Sequence, residues 1–451
     1  MAIAIALILL VIGTVAFHVL NPWWFTPIAS NWGMMDDTVS LTFWVTGAVF
    51  VAVNLFMAYA IIRYRHRKGR DQRAEYEPEY KKLEWWLTGL TSVGVAALLA
   101  PGLVVWAKFV TVPEEATVIE ALGQQWSWSF RLPGQDGELG SVDVGLIGSD
   151  NPFGMDATDP RGQDDVLIAG PELHLPIGKP VKVLLRSKDV LHNFTVPQFR
   201  VKMDIVPGMI TYLWLTPTRT GEFEVLCEEL CGLGHFAMRG RVVVDEGDAY
   251  QAWLAGQPTY AQVSARTADM ASGQAAFAVC TACHGAGAEG NQSLNAPKLA
   301  GQPAWYLARQ LRNFKRGVRG GAPGDQIASQ MMAMAVPLDE KTIDDVAAYI
   351  ATLPDHSPRR TVMADAGRGA SLYSTCAYCH GAAGQGSWST NAPRLANMSD
   401  WYLLRQLQNF KQGHRGRHPQ DFLGAQMAAM GRTVADDQAT ADLVAYINTL
   451  Q

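Results

Sequence analysis

Three long apolar runs at the start of the chain constrain its fold more than any other feature. They cover residues 1–20, 41–62 and 85–107, and none of them contains Asp, Glu, Lys or Arg. An α-helix of about 20 apolar residues crosses the roughly 30 Å of bilayer hydrocarbon, where backbone polar groups must be satisfied within the segment. The sequence therefore predicts a membrane anchor over residues 1–110, with three transmembrane helices at about these positions.

Charge predicts how these helices are oriented. Residues 1–62 contain no Lys or Arg, whereas the segment 63–82 contains eight. Positively charged loops stay on the cytoplasmic side, so we expect the chain after about residue 108 to lie outside. The first run lacks the basic flank and the clear cleavage site of a signal peptide, so we expect it to be retained as a spanning helix rather than removed.

The composition of the whole chain excludes two classes of protein. The net charge is −5, from 37 Lys and Arg against 42 Asp and Glu, which excludes a generally basic nucleic-acid binder. The six cysteines all lie between Cys227 and Cys379, and they are too few and too clustered for a disulfide-rich scaffold. Their positions instead direct attention to two separate motifs.

The first motif lies in a β-rich region. Residues 111–245 contain short alternating runs such as TYLWLT and GEFEVLC, which predict a small antiparallel sandwich or barrel. One loop of this region carries Cys227, Cys231, His235 and Met238. Thiolate, imidazole and thioether ligands together favour copper over hard cations. A closed zinc site, which has no use for Met238, and a disulfide between Cys227 and Cys231 remain alternatives.

Three further segments sharpen the interpretation of this loop. They are the segment 187–197, which contains His192, the segment 202–208, and the tryptophan-rich segment 123–130. With these motifs and the helix pair that precedes them, residues 38–245 resemble cytochrome c oxidase subunit II. The resemblance implies a cupredoxin-like β-sandwich with a binuclear copper A site. By position, the ligands would be His192, Cys227, Cys231, His235, Met238 and the main-chain carbonyl of Glu229.

The resemblance also implies roles for three other side chains. The Glu229 carboxylate would approach a magnesium ion at the junction with subunit I. Trp126 would lie where electrons enter, and the alternative is an ordinary packed aromatic of the sandwich. Glu84 would stand at the mouth of a proton channel, and the alternative is a carboxylate that the helix dipole favours at a helix start. The acidic segment 134–165 is longer than the family leads us to expect, and we predict a solvated loop rather than a partner contact.

The C-terminal part of the chain repeats itself with an offset of 96 residues. The motif Cys-x-x-Cys-His occurs at Cys280, Cys283 and His284, and again at Cys376, Cys379 and His380. The segment 305–315 likewise recurs as 401–411, which indicates domain duplication. The motif is typical of c-type haem attachment, in which both thiols bind the haem covalently and the histidine binds iron. We therefore predict two haems c, and all six cysteines then have a use.

A methionine is the expected sixth ligand of each haem iron, because a thioether raises the haem potential and blocks other ligands. The offset of 96 pairs Met331 with Met427 and Met334 with Met430. The two halves resemble two-domain dihaem cytochromes c, in which the ligand lies a short stretch before the final helix. That resemblance favours Met331 and Met427 over the later pair.

The predicted fold is multidomain, with N-terminal transmembrane helices, a cupredoxin-like β-sandwich and two all-α class I cytochrome c domains. The predicted units are a membrane anchor at 1–110, a copper A domain at 111–245, a linker at 246–270, a first cytochrome c domain at 271–354, a linker at 355–366 and a second cytochrome c domain at 367–451.

Together these features predict the electron-transfer subunit II of a membrane-bound haem–copper terminal oxidase. Electrons would pass from the c-type haems through copper A to subunit I, where oxygen is reduced and protons are translocated. His18 is the only histidine in a predicted span, so the chain lacks the intramembrane ligands that oxygen chemistry needs. It therefore needs subunit I as a partner. Subunit III and an upstream donor, such as a cytochrome c or a quinol–cytochrome c reductase, are further expected partners. We expect a protein of the bacterial inner membrane with its C-terminal domains on the periplasmic side.

Two other functions fit much of the same pattern. One is the copper A subunit of a nitric oxide reductase, and the other is a membrane-anchored electron carrier without a catalytic partner. Glu84 argues mildly against a pure carrier, which needs no proton-channel carboxylate. A nitrous oxide reductase is disfavoured, because that enzyme is soluble and needs more histidines than the ten of this chain can spare.

Overall fold

Three apolar helices form the N-terminal part of the protein. The computed structural model describes residues 1–20, 26–66, 79–148, 151–168, 170–323 and 325–450. The first helices are α1 (Ala2–Leu20), α2 (Gly33–Tyr64) and α3 (Lys81–Val110). Each is long and apolar enough to cross a membrane, and at most 11% of its most apolar stretch is buried within the chain. Such a surface is stable in lipid rather than in water. The prediction of three apolar N-terminal helices is confirmed.

The helices extend beyond the apolar runs. The second begins at Gly33 and the third at Lys81, ahead of the runs that begin at residues 41 and 85. An apolar run marks only the part that lipid favours, whereas helical hydrogen bonding continues into the polar headgroup layer. Most of the basic loop, residues 67–78, lies outside the described residues.

A β-sandwich follows the membrane helices, as predicted. Its strands are β1 (Thr117–Gln124), β2 (Ser127–Leu132), β3 (Val166–Ile168), β4 (Glu172–Pro176), β5 (Val181–Ser187), β6 (His192–Val196), β7 (Val201–Ile205), β8 (Thr211–Leu215), β9 (Gly221–Leu226) and β10 (Arg239–Asp245). Within the described residues they form two five-stranded sheets, ordered β3-β2-β1-β5-β8 and β4-β10-β9-β6-β7. In β5, Val181, Val183 and Leu185 are buried and alternate with more exposed residues. Because side chains alternate with a period of two, one face of each sheet points into a shared core.

Aromatic and charged contacts fix the sandwich against the membrane helices. The Trp32 indole N–H donates to the carbonyl of Trp214 at 2.9 Å, and the two rings lie 4.8 Å apart. The Trp214 indole in turn donates to the carbonyl of Lys108, near the end of α3, at 3.2 Å. Arg200 forms an ion pair of 2.7 Å with Asp36 in the first turn of α2. The sandwich therefore lies at the C-terminal end of α3.

Residues 246–270, predicted as a linker, are partly helical and lie on the sandwich. The helices are α4 (Gly247–Ala255) and α5 (Tyr260–Ser264). The Trp253 ring stacks on His174 at a centroid distance of 4.2 Å. Tyr260 is buried in a small apolar cluster with Phe153. The chain therefore leaves the sandwich along its surface rather than through solvent.

Two helical repeats complete the chain. The first consists of α6 (Met270–His284), α7 (Ala304–Lys315), α8 (Gln326–Ala335) and α9 (Glu340–Thr352), and the second of α10 (Ala366–His380), α11 (Asp400–Gln412), α12 (Phe422–Arg432) and α13 (Asp437–Ile447). The first and last helices of each repeat cross at a glycine. A Cβ at Gly273 would lie 2.3 Å from the carbonyl oxygen of Asp345, and one at Gly369 would lie 2.0 Å from that of Asp442. Only glycine allows this approach, and both repeats use it.

Candidate copper and haem sites

Soft donor atoms converge at one end of the sandwich. Cys227, Cys231, His235 and Met238 come from the loop between β9 and β10, and His192 is the first residue of β6. The Cys227 and Cys231 sulfurs lie 3.7 Å apart. The Cys227 sulfur lies 4.0 Å from His192 Nδ1 and 3.3 Å from the carbonyl oxygen of Glu229. The Cys231 sulfur lies 3.5 Å from His235 Nδ1 and 3.8 Å from Met238 Sδ.

These distances separate the three interpretations of the loop. A disulfide has an S–S length of about 2.05 Å, so Cys227 and Cys231 are not bridged in this arrangement. A closed tetrahedral zinc site takes four ligands and would leave donors such as Met238 unused. The sulfurs of Cys227 and Cys231 each have an imidazole nitrogen beside them, so this donor set would hold two soft metal ions rather than one.

Electrostatics support the need for cations at this position. The hydrogen bond from Cys231 and the neighbouring His192 lower the pKa of Cys227, whereas the close Cys227 sulfur raises the pKa of Cys231. The protein alone therefore stabilises one thiolate and opposes the second, because two negative sulfurs would repel each other. Metal cations between them would allow both to ionise. The donor set thus fits a binuclear copper centre.

Asp189 holds the buried His192 in place. Its carboxylate lies 2.8 Å from His192 Nε2, and it also accepts main-chain N–H bonds from Gln125 and Val190 at 2.7 Å each. The His192 side chain is 0% exposed, and with Nε2 engaged its Nδ1 faces Cys227. The role of Asp189 was not predicted from the sequence. A carboxylate three residues before a histidine ligand is the signal that would have found it, because such partners orient metal-binding imidazoles.

Trp126 lies directly against the copper loop. Its indole N–H donates to the carbonyl of Cys231 at 3.0 Å, and Gln125 Nε2 donates to the same oxygen at 2.8 Å. The Trp126 side chain is 4% exposed. A Cβ on Gly234 would lie 2.5 Å from the indole ring, so the close contact requires glycine there. Trp126 is therefore both a packed aromatic and the residue that covers the loop.

The two predicted carboxylates lie far from each other. Glu229 is half-buried within the loop, and its carbonyl oxygen is the one beside Cys227. Glu84 lies exposed in the first turn of α3, whose opposite end supports the sandwich. A 30-residue helix is about 45 Å long, so Glu84 and the sandwich lie near opposite ends of α3.

Both Cys-x-x-Cys-His motifs end a helix and place the histidine in the same way. His284 Nδ1 lies 2.8 Å from the carbonyl of Pro297, and His380 Nδ1 lies 2.8 Å from that of Pro393. A carbonyl accepts, so Nδ1 carries the proton and Nε2 keeps its lone pair. Burial lowers the pKa of both histidines, which favours the neutral form that binds iron.

The boundary between the two repeats offers positive charge for an anionic group. It contains Arg309, Arg319, Arg405 and Arg415. Burial lowers the pKa of Arg309 to about 10. Among the described residues, the Nε atoms of Arg319 and Arg415 are buried without a hydrogen-bond partner. Buried guanidinium groups in this state favour an anionic partner, and the propionates of a haem are such groups.

The candidate iron-binding methionines differ in exposure. Met331 and Met334 lie on α8, and Met427 and Met430 lie on α12. Met334 is 48% exposed, whereas Met331 is partly buried. In the second repeat, Met427 and Met430 are both partly buried.

Comparison with protein families matches the two parts separately. Residues 117–246 match the family model "Cytochrome C oxidase subunit II, periplasmic domain". Residues 270–354 and 366–451 each match the family model "Cytochrome c". The first model implies copper A, and the second implies c-type haem.

Similar proteins give the same division. "Alternative cytochrome c oxidase subunit 2" of Bradyrhizobium diazoefficiens is 61% identical over 268 residues, which are 59% of this chain and 96% of the relative. Cytochrome c4 of Azotobacter vinelandii is 33% identical over 172 residues, which are 36% of this chain and 81% of that protein.

Several solved structures resemble parts of the chain. One is the periplasmic domain of subunit II of cytochrome oxidase from Bradyrhizobium japonicum, which is 30% identical with a TM-score of 0.24. The match covers 32% of this chain and 95% of that structure. Another is cytochrome c4 from Pseudomonas stutzeri, which is 29% identical with a TM-score of 0.34 and covers 41% of this chain and 100% of that one. The near-complete coverage of the Bradyrhizobium diazoefficiens relative shows the family: this chain belongs to cytochrome c oxidase subunit II, the electron-transferring component of a haem–copper oxidase complex, and carries two cytochrome c domains after its sandwich.

Proposed function

We propose that this chain passes electrons from two c-type haems through a binuclear copper A centre to the oxygen-reducing subunit I of a membrane-bound terminal oxidase. The convergence of the sulfur and nitrogen donors of the β9–β10 loop and His192 carries the proposal. The copper ligands would be His192, Cys227, Cys231, His235, Met238 and the carbonyl of Glu229. When bound, the two coppers accept and release one electron at a time.

The protein's own residues keep this site rigid and dry. Asp189 fixes the ring of His192, and His192 itself begins a strand in the sandwich core. Trp126 covers the loop from one side and excludes water there. Ligands held by strands and by buried partners change position little when the charge of the site changes, which suits rapid electron transfer.

Each cytochrome domain would hold one haem. The first would be bound by Cys280, Cys283 and His284 with Met331, and the second by Cys376, Cys379 and His380 with Met427. The lower exposure of Met331 supports its choice over Met334, because an iron ligand lies in an apolar haem pocket. The offset of 96 residues extends that choice to Met427.

The membrane part supports the same function. Subunit I, subunit III and an upstream donor, a cytochrome c or a quinol–cytochrome c reductase, would be its partners, and the sandwich and cytochrome domains would lie on the periplasmic side of the bacterial inner membrane. The half-buried Glu229 carboxylate would approach a magnesium ion at the contact with subunit I. Glu84 would stand at the mouth of a proton channel, and its place in the first turn of α3, away from the sandwich, supports this role.

Removal of one copper ligand in the purified complex tests this function. In Cys227→Ser, both c haems should remain and be reduced by an external donor, whereas the copper signal and oxygen consumption should be lost. The control Met203→Leu changes a partly buried methionine of the same sandwich and should preserve the copper signal and oxygen consumption. A retained binuclear copper signal in Cys227→Ser would contradict the site, and oxygen consumption without copper would contradict the function.

A further inference from the structure

The two cytochrome domains are not equivalent in their relation to the sandwich. In the described part of the chain, the hydrogen bonds and ring contacts that join the sandwich to a cytochrome domain come from the second domain. Gln426 on α12 donates from Nε2 to the carbonyl of Trp126 and lies 3.4 Å from the carbonyl of Ala237. The ammonium group of Lys188 lies 4.0 Å from the centre of the Trp388 ring.

The haem-attachment cysteines show the same asymmetry. Cys379 of the second domain packs against the hydrophobic core of the sandwich. Its counterpart in the first domain, Cys283, is exposed. The second haem-binding motif therefore lies against the sandwich, whereas Cys283 in the first motif shows no such packing among the described residues.

Two aromatic contacts with the sandwich are specific to the second repeat. Besides the contact of Trp388 with Lys188, the guanidinium of Arg241 lies 5.9 Å from the centre of the Phe422 ring. At the offset of 96 residues, Trp388 corresponds to Gln292 and Phe422 to Gln326. A glutamine side chain has no ring face for a cation. The second domain therefore has aromatic side chains suited to the sandwich that its duplicate lacks.

The glutamine that reaches Trp126, in contrast, is present in both repeats. At the same offset, Gln426 corresponds to Gln330. Gln426 is partly buried against the sandwich, whereas Gln330 is exposed. The same side chain therefore has a different environment in each repeat, and the position of the domain, not the residue type, gives Gln426 its contact.

One pair of hydrogen bonds between the two repeats is made by equivalent residues. Arg309 donates to Asn391 at 3.1 Å, and Arg405 donates to Asn295 at 2.7 Å. These are equivalent pairs at the offset of 96 residues. At this pair the two repeats contact each other symmetrically, whereas the hydrogen bonds and ring contacts to the sandwich come, among the described residues, from the second repeat.

Gln426 connects the second domain to the copper loop in two steps. Its amide donates a hydrogen bond to the carbonyl of Trp126, and the Trp126 indole N–H donates one to the carbonyl of Cys231. The surrounding interface is not fully packed, since a cavity of about 500 Å³ remains between α12 and the sandwich, lined by Phe236 and Phe422 among others. The contact therefore depends on a few directed bonds and ring contacts rather than on a large apolar area.

We propose that electrons move in one fixed order, from the first cytochrome domain to the second and from there to the copper loop, with Gln426 as the residue that docks the second domain on Trp126. This inference rests on the proposed function. In each cycle the second domain is oxidised by one electron as the copper site is reduced by one, and the first domain then reduces the second. An external one-electron donor of the c-type cytochrome class reduces the first domain again.

Substitution of Gln426 tests the docking contact in the whole oxidase complex. Gln426→Glu replaces the amide donor with a carboxylate that faces the carbonyls of Trp126 and Ala237. The matched control is Gln330→Glu, which makes the identical change at the equivalent, exposed position of the first repeat. After a flash that injects one electron, haem-to-copper transfer should slow roughly tenfold in Gln426→Glu and change by less than about twofold in the control.

Hydrogen exchange gives a second measurement that does not depend on turnover. Amides near Trp126 and on α12 should exchange faster in Gln426→Glu than in Gln330→Glu, because docking covers both segments. Equal exchange and equal transfer rates in the two variants would overturn the docking role.

Selective removal of each haem tests the order. With Cys280 and Cys283 changed to Ala, the second haem should still reduce copper, but reduction by an external cytochrome should slow. With Cys376 and Cys379 changed to Ala, the external donor should still reduce the first haem, but copper should not follow. Fast copper reduction in the variant that lacks Cys376 and Cys379 overturns the order. Where either variant does not fold, the transfer rate in Gln426→Glu decides whether the second domain is the one that reduces copper. A wild-type complex without a binuclear copper signal would instead refute the proposed function itself.

Discussion

Replacement of Gly234 by alanine should loosen the copper loop by displacing Trp126. The added Cβ would lie 2.5, 2.7 and 2.9 Å from three atoms of the indole, Cδ2, Cε3 and Cγ. Gly234 has φ −89°, which alanine also adopts, so backbone strain does not contribute. Carbon atoms prefer a separation of about 3.5 Å, so the ring or the loop must move by roughly 1 Å.

The structure gives the size of the effect. Overpacking of this kind costs about 1–3 kcal/mol. A shift of roughly 1 Å also lengthens the Trp126 bond to the Cys231 carbonyl, now 3.0 Å, and the loss of such a bond costs about 1 kcal/mol. The free energy of unfolding of the sandwich should therefore fall by about 2–4 kcal/mol. With a urea dependence of about 2 kcal/mol per molar, the unfolding midpoint should fall by about 1–2 M.

The assay is a urea titration of the purified complex in which the copper signal reports the sandwich. The absorption of the c haems reports the cytochrome domains and should change less. The control is Gly148→Ala, because a Cβ at Gly148 meets no atom within 4 Å. If Gly234→Ala and Gly148→Ala lose copper at the same urea concentration, Trp126 does not lie against the loop as described.

Two further predictions concern the first haem and His174 in β4. Met331→Ala should open the first haem to carbon monoxide, whereas Met334→Ala should leave its low-spin spectrum unchanged, and the reverse result would assign the iron to Met334. Burial acts to lower the pKa of His174, but its bonds with Glu172 and Asp245 outweigh burial and raise that pKa above the usual value. The protonated form therefore stabilises the fold below about pH 6.5, and this contribution is lost as the pH rises through the folded-state pKa. As the pH rises above about 6.5, the thermal midpoint of the sandwich should fall more steeply in the wild type than in His174→Gln, and equal slopes would refute the assignment.

Features that depend on short stretches of sequence could be predicted. The apolar runs predicted the membrane helices, because a spanning helix depends on its own residues. The spacing of Cys227, Cys231, His235 and Met238 predicted a metal-binding loop for the same reason, since all four side chains come from the loop between β9 and β10. The histidine of each Cys-x-x-Cys-His motif is likewise fixed by its own helix end.

Features that depend on distant contacts could not be predicted. The bond between Gln426 and Trp126 joins residues 300 positions apart, and the exposed Gln330 shows that the residue type alone does not mark this contact. The stacking of Trp253 on His174, which places α4 on the sandwich, also depends on tertiary packing. The role of Gly234 likewise becomes visible only when the position of the indole ring is known.

Haem and metal analysis of the detergent-purified complex that contains this chain distinguishes an oxidase from a nitric oxide reductase. We expect two covalent c haems and two coppers for this chain, with a further copper and a haem of A or O type from subunit I. A complex with haem B, non-haem iron and only two coppers would contradict it and would identify a nitric oxide reductase instead.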